Sequence, residues 1–452
     1  MLRHPRHEAA QGRLPELVTQ LRQCSTVEDG YALQKALLDE VIEAETARSG
    51  FSRAVKRMRA GKAPQRGVPE PQSGLDPALP ETWQLEHDVC ERVARQFRCV
   101  GDALAWRVFG FRRQHVIALS QNDPAGPMVP KTGLPAELAA IDEARAQGQF
   151  AIHHDLTNCL RIGDITVFSN EDGTATTIEV KSNPAHQRTV QQQRISAARE
   201  AVLRGGELPG KNPRTVLYEL DLPFKTHLDV LRLGTEHAAK DGIFAARLPG
   251  DRILTVADMY GCSGKGWTED EFRSRAEAKT RARLRAAGLD DDRQWHVHAT
   301  SFDSVSRDPL RVPFAAYPLH PVACARIIGD LTVFTVETSG PRLAESLRRA
   351  GIEARWVREP RPGDLEPGEV VMEMVTRSPF VVPDRVARDL QRANKRAEYV
   401  KGLQMRRSEL DMYLIQLLDQ GTWFEGVRYM LADPELRKRP WAHYRDEDQV
   451  WC

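Results

Sequence analysis

No apolar run in the 452-residue sequence reaches membrane-spanning length, and the N-terminal stretch MLRHPRHEAAQ has no apolar signal core. Those two absences predict a soluble cytoplasmic chain with no membrane partner. Cysteine is scarce and scattered, at positions 24, 90, 99, 159, 262, 324 and 452, with no Cys-x-x-Cys pair. That spacing argues against a disulfide framework and against a zinc ribbon. An excess of either charge is also missing: 64 Lys and Arg meet 63 Asp and Glu, for a net charge of +1. A site for a polyanion must then be a local patch, because no global field exists to steer one. What is present is ordinary for a globular chain, with 41% hydrophobic and 28% charged residues. The length allows about two to four domains.

Apolar spacing organises the chain into five regions. Residues 1–61 read as helical, because Leu33, Leu37, Val41 and Ala44 keep a helical stripe. Residues 62–80 are rich in Pro and Gly and read as a linker. Residues 81–225 hold a helix with Leu85, Val89, Val93, Phe97, Val100 and Leu104 on one face, a loop QNDPAGPMVPKTG, a short helix over 134–148, and a strand-rich run from Phe150 to Lys181. A polar, basic helix follows over about 185–204, then a strand over 214–222. Residues 226–383 mix strands and helices in a second α/β region. Residues 384–452 read as helical, from the stripe Leu410, Tyr413, Leu414, Leu417 and Leu418.

The run GDITVFSNEDGTATTIEVKS carries the chemistry. Asn170-Glu171-Asp172-Gly173 is a turn signal between two β-rich runs, so the segment predicts a hairpin. A turn centred between Glu171 and Asp172 sets Ile165 opposite Ile178 and Asp164 opposite Glu179. Strand alternation then puts Ile165, Val167, Ile178 and Val180 on a core face. Asp164, Glu179 and Lys181 share the other face. Opposed carboxylates repel, and a divalent cation between them reverses the sign of that interaction. Hard oxygen ligands suit Mg²⁺ or Mn²⁺. Two acids and one Lys on a sheet face can hold such an ion, orient a water and stabilise charge on a phosphate.

With Asp164 followed after a turn by Glu179-Val180-Lys181, the segment resembles the PD-(D/E)xK nuclease superfamily, the restriction-endonuclease-like fold. The residue before the Asp is Gly163 where many members carry Pro. The resemblance covers roughly residues 134–222. It implies an α/β core with a mixed central sheet flanked by helices. It implies that Asp164 and Glu179 bind metal and that Lys181 is the catalytic Lys. A helix Glu often joins the metal set, with Glu137 the first choice and Glu143 the second. Gln191, Gln192 and Gln193 are not followed at the right spacing by the Tyr of the RecB branch. The helix after Lys181 offers Arg188, Gln191 and Arg194 for phosphate contacts, or else a solvated face.

The motif has an echo. Ile162-Gly-Asp-Ile-Thr-Val-Phe returns as Ile328-Gly-Asp-Leu-Thr-Val-Phe, and Glu345 stands to Asp330 as Glu179 stands to Asp164. Leu347 occupies the place of the Lys, so the second copy reads as a Gly-Asp turn opening an apolar strand. GCSGKGW (261–267) lacks phosphate-loop spacing and reads as a flexible loop. His153 and His154 read as structural polar residues, with Asp155 and Asn158 the better site contacts. The expectation is a Mg²⁺- or Mn²⁺-dependent nuclease, with DNA placed ahead of RNA, serving restriction, phage defence or repair. A homodimer or a defence-system partner fits that context. The alternatives are a nuclease-fold module that binds nucleic acid without cutting, and a helical scaffold or regulatory protein.

Overall fold

The computed structural model describes residues 4–120, 128–129, 131–169, 174–180, 190–204, 217–220, 225–289, 295–300, 302, 311–357, 370–375, 403–432 and 441–444. It is a mixed α/β chain. Three helices begin it: α1 (Pro5–Gln23), α2 (Val27–Arg59) and α3 (Pro80–Val108). Pro5 and Pro80 stand in the first turns of α1 and α3, where a missing N–H costs nothing. Thr26 and Asp29 close a capping box that starts α2. The second half of α3 is buried on nearly every side from Val93 to Trp106, the pattern of a central helix. Residues 62–80 join α2 to α3, and Glu86 of α3 accepts hydrogen bonds from the backbone N–H groups of Gln72 and Ser73 at 2.6 and 2.7 Å.

The short helix α4 (Arg113–Leu119) and α5 (Leu134–Ala146) lead into β1 (Phe150–His153), β2 (Ile165–Phe168) and β3 (Ala175–Ile178). These strands form one sheet, ordered β1-β2-β3 and antiparallel throughout. The expected mixed sheet is thus not found among the described residues. Short connections join the three strands, and a short connection reverses the chain. After α6 (Val190–Arg204), strand β4 (Leu217–Leu220) pairs in parallel with a C-terminal strand, Trp441–Tyr444.

Beyond β4 lie α7 (Leu228–Asp241), β5 (Ile243–Leu248), β6 (Arg252–Asp258), α8 (Met259–Ser263), α9 (Glu269–Ala286) and β7 (Trp295–Ala299). With β8 (Thr332–Ser339) they build an antiparallel sheet ordered β5-β6-β8-β7. The expected flexible loop at 261–267 begins inside α8. Asp258 caps that helix by accepting from the Gly261 N–H at 2.8 Å. A third antiparallel sheet joins β9 (Glu353–Trp356), β10 (Val370–Val375) and β11 (Leu403–Arg406). The tail is therefore not wholly helical. Helices Arg407–Ile415 and Gln420–Ala432 are there, but β11 and Trp441–Tyr444 are strands. Pairing with β10 and β4 decides those two segments, overriding local pattern.

One cluster of buried apolar residues runs from Ala10 to Val427, and a smaller one joins Phe51, Trp83 and Cys90. No helix among the described residues is long and apolar enough to cross a membrane. The six described cysteines are free thiols.

Candidate metal centre at the end of the hairpin

The predicted hairpin forms in the predicted register. Ile165 lies opposite Ile178, Thr166 opposite Thr177, and Val167 opposite Thr176. The core face differs in one residue. Ile165 is buried and Val167 and Val180 pack against the core, but Ile178 is 40% exposed. Among the described residues β3 is the edge strand of its sheet.

Asp164 stands at the entry to β2, and its backbone is tied on both sides. It donates its N–H to Ile178 O and accepts from the His154 N–H, both at 2.9 Å. Its carboxylate Oδ2 accepts from the Val180 N–H at 2.8 Å, in the middle of Glu179-Val180-Lys181. Gly163 makes this possible. Its φ is +78°, and an added Cβ would lie 2.5 Å from Thr177 Cγ2. Proline, locked near a φ of about −65°, could not take this position.

Lys131 links Asp164 to two further carboxylates, Glu137 and Asp155, both of which the sequence pointed to. Lys131, in the loop before α5, places Nζ 2.8 Å from Glu137 Oε1, 2.7 Å from Asp155 Oδ2 and 3.7 Å from Asp164 Oδ1. Glu137 lies in the first turn of α5 and is buried. Its other oxygen meets His153 Nε2 at 2.9 Å. Ligand atoms of Glu137, His153 and Asp155 all fall within 4.8 Å of one another. Glu143, the second choice on α5, is exposed.

Buried polar groups hold this cluster from behind. Glu45 of α2 accepts hydrogen bonds from the N–H groups of Met128 and Val129, fixing the loop that delivers Lys131. The same carboxylate binds Arg98 Nη2 at 2.6 Å, and Arg98 Nε donates to Asp155 O at 2.7 Å. Asp155 sits in a single helical turn, His154–Leu156, which rests on α3. A Cβ on Gly101 of α3 would come within 1.9 Å of Leu156 O. Asn158 faces away from the cluster. Its Nδ2 donates to Asp102 Oδ2 at 2.9 Å, and Asp102 also accepts from the Asn158 and Cys159 N–H groups. His154 is a buried structural residue, bonded to Gly163 O at 3.1 Å and Thr166 Oγ1 at 2.8 Å. Burial and the neighbouring His153 push its pKa down to about 3, so it is neutral.

The carboxylates differ in their electrostatics. Burial pushes Asp164 up, and the charges of Glu137 and Asp155 add to that, against the Val180 N–H and Lys131. Burial also opposes ionisation of Glu137 and Asp155, but hydrogen bonds outweigh it. His153 and Lys131 hold Glu137 below its ordinary value, and Lys131 does the same for Asp155. Lys131 is pushed well up, its two ion pairs overcoming burial, so it is a firm cation. Three carboxylates thus face one ammonium, and the excess is negative. The donors are hard carboxylate oxygens, the kind that hard divalent cations take, and His153 stands behind Glu137.

Glu179 is half-buried at the end of β3. Lys181 and Arg188 lie outside the described residues. Gln191 opens α6, and its Nε2 lies 3.5 Å from Arg161 O, facing the protein. Arg194 is half-buried, just under one turn further along the same helix. Lys131 was missed by sequence reasoning. Its one signal was a Lys in a Pro/Gly loop just ahead of the helix that carries Glu137.

The echo builds nothing similar. Asp330 has a φ of +55° and pairs with Arg92, and its Oδ1 accepts from the Phe302 N–H at 2.8 Å. Glu345 lies on the helix Gly340–Arg349, paired with Arg348 at 2.5 Å. A second group, His87, Asp88 and Glu91 on α3, could also gather round an ion, but it lies among surface ion pairs with Arg48.

Comparison of the chain with protein-family models, with curated proteins and with solved structures returns no match.

Proposed function

We propose that this chain is a divalent-metal-dependent nuclease of restriction-endonuclease-like type that hydrolyses phosphodiester bonds, DNA before RNA. The observation that carries the reading is Lys131, whose Nζ bridges Glu137 and Asp155 and reaches Asp164 at 3.7 Å, with Asp164 itself tied to the Val180 N–H. In this reading Glu137, Asp155, Asp164 and Glu179 hold Mg²⁺ or Mn²⁺. The bound ion supplies a Lewis acid and a water of lowered pKa. His153 keeps Glu137 oriented toward the ion, as partners behind a metal ligand do. Lys181 orients the attacking water or neutralises charge developing on the phosphate. Gly163 and the Val180 N–H fix Asp164 so that its remaining oxygen lies toward the cluster. Arg188, Gln191 and Arg194, which follow Lys181 in the sequence, are assigned to phosphate contact.

The test is cleavage of supercoiled plasmid, linear duplex and single-stranded DNA and RNA in Mg²⁺, Mn²⁺, Ca²⁺ or EDTA. Cleavage in Mg²⁺ or Mn²⁺ that vanishes with EDTA and with Asp164→Ala supports the reading. A second reading, a nucleic-acid module that does not cut, draws on Lys131, which already neutralises part of the cluster. Metal-independent binding with no cleavage of any substrate favours it.

A further inference from the structure

Lys131 contacts carboxylates from three separate parts of the chain: Glu137 on α5, Asp155 in the turn after β1, and Asp164 at the start of β2. An ammonium has three donors and no acceptor, so it satisfies these oxygens as a small cation does. Its loop is fixed by the buried Glu45, through the N–H groups of Met128 and Val129. The side chain itself is 29% exposed, so a route to solvent is open.

We infer that Lys131 is a tethered competitor for the divalent-cation site. A Mg²⁺ or Mn²⁺ ion takes carboxylate oxygens at about 2.1 Å. Lys131 Nζ already lies 2.7 Å from Asp155 and 2.8 Å from Glu137. Ion and ammonium draw on the same oxygens and repel each other across a few ångströms in a partly buried site. Entry of the ion and departure of the ammonium are therefore one event. The Glu45 anchor keeps the backbone of the loop in place, so the displaced ammonium stays at the rim of the site. Without metal, Lys131 holds the three carboxylates together. With metal, it sets a threshold concentration for loading.

The inference rests on the metal part of the proposed function, and its test does not read turnover. Mn²⁺ binding is measured by calorimetry or by electron paramagnetic resonance on the full chain and on Lys131→Met, which keeps length and loses charge. The variant is expected to bind Mn²⁺ at least about tenfold more tightly and to melt at a lower temperature without metal. Equal or weaker Mn²⁺ binding overturns the inference. A second measurement uses the unaltered protein: amine-reactive labelling of Lys131, read by mass spectrometry, with and without Mn²⁺. Labelling is expected to rise with Mn²⁺, and unchanged or reduced labelling overturns the inference. Tighter Mn²⁺ binding in a protein that cuts no substrate sinks the nuclease reading alone. Metal-dependent cleavage with unchanged Mn²⁺ affinity in Lys131→Met sinks this inference alone.

Discussion

Asp164 accepts the backbone N–H of Val180 at 2.8 Å, which ties the first acid of the motif to the centre of Glu179-Val180-Lys181. The hydrogen bond uses Oδ2 and leaves Oδ1 on the Lys131 side, 3.7 Å from Nζ. One carboxylate thus ends the hairpin and begins the charged cluster.

Asp164→Ala should abolish metal-dependent cleavage and the Mn²⁺-induced gain in melting temperature. Its effect on the metal-free fold should be small. Losing the Val180 hydrogen bond costs about 1 kcal/mol, and removing a half-buried carboxylate that is repelled by Glu137 and Asp155 offsets part of that. Thermal melts with and without Mn²⁺ check both halves. A collapse of the metal-free protein would mark Asp164 as a structural cap and no more.

Lys181→Ala should keep the Mn²⁺ melting shift and lose on the order of 10²–10³ in rate, the usual effect of removing one charge-stabilising donor. Single-turnover kinetics at saturating metal measure it. A variant that cuts at the unaltered rate removes Lys181 from the mechanism.

The hairpin could be read from the chain because its information is local. A four-residue turn signal and strict alternation on either side fix the register, and Ile165 meets Ile178 as they require. Glu137 came instead from the resemblance, which expects a Glu on the helix before the strands. Lys131 could not be read, because what aims it is Glu45, far away on α2. The Arg98 link from Glu45 to Asp155 is also invisible to periodicity. The C-terminal strands share this limit, since Leu403–Arg406 becomes a strand only by pairing with β10. Ile178 shows the converse: alternation sets it on the core face, and it is 40% exposed, because pattern fixes a side and not what packs against it.

Gly101→Ala should be costly although it lies in a helix, where Ala is normally the better residue. The new Cβ would lie 1.9 Å from Leu156 O, so α3 and the turn that carries Asp155 must part. Overpacking of this kind costs about 1–3 kcal/mol, and Mn²⁺ affinity should fall with it. Chemical denaturation and Mn²⁺ titration of the variant check this.

Asp330→Asn should leave cleavage at saturating metal intact, since Asp330 serves Arg92 and the Phe302 N–H. It should lower stability by about 1–3 kcal/mol by weakening a partly buried charge pair. A catalytic loss equal to that of Asp164→Asn would revive a duplicated site.

Stability should also fall as pH rises from about 4.5 to about 7, through Glu337 on β8. Burial and the nearby Glu277 raise its pKa to about 7. A carboxyl whose folded value lies above its unfolded value stabilises the fold fully below the unfolded value. That contribution is lost as pH rises through the folded one. Glu337→Gln should remove up to about 3 kcal/mol of this dependence. Urea melts across the range, on both proteins, would show it, and parallel pH profiles would contradict it.

The most direct test is cleavage of duplex DNA in Mn²⁺ by the unaltered chain, Asp164→Ala and Glu137→Gln, each first shown to be folded by its melting curve. Cleavage by the unaltered chain that EDTA stops, and none by either variant, is expected. Cleavage by Asp164→Ala at the unaltered rate, or none by the unaltered chain on any nucleic acid with any divalent ion, would contradict the proposed function.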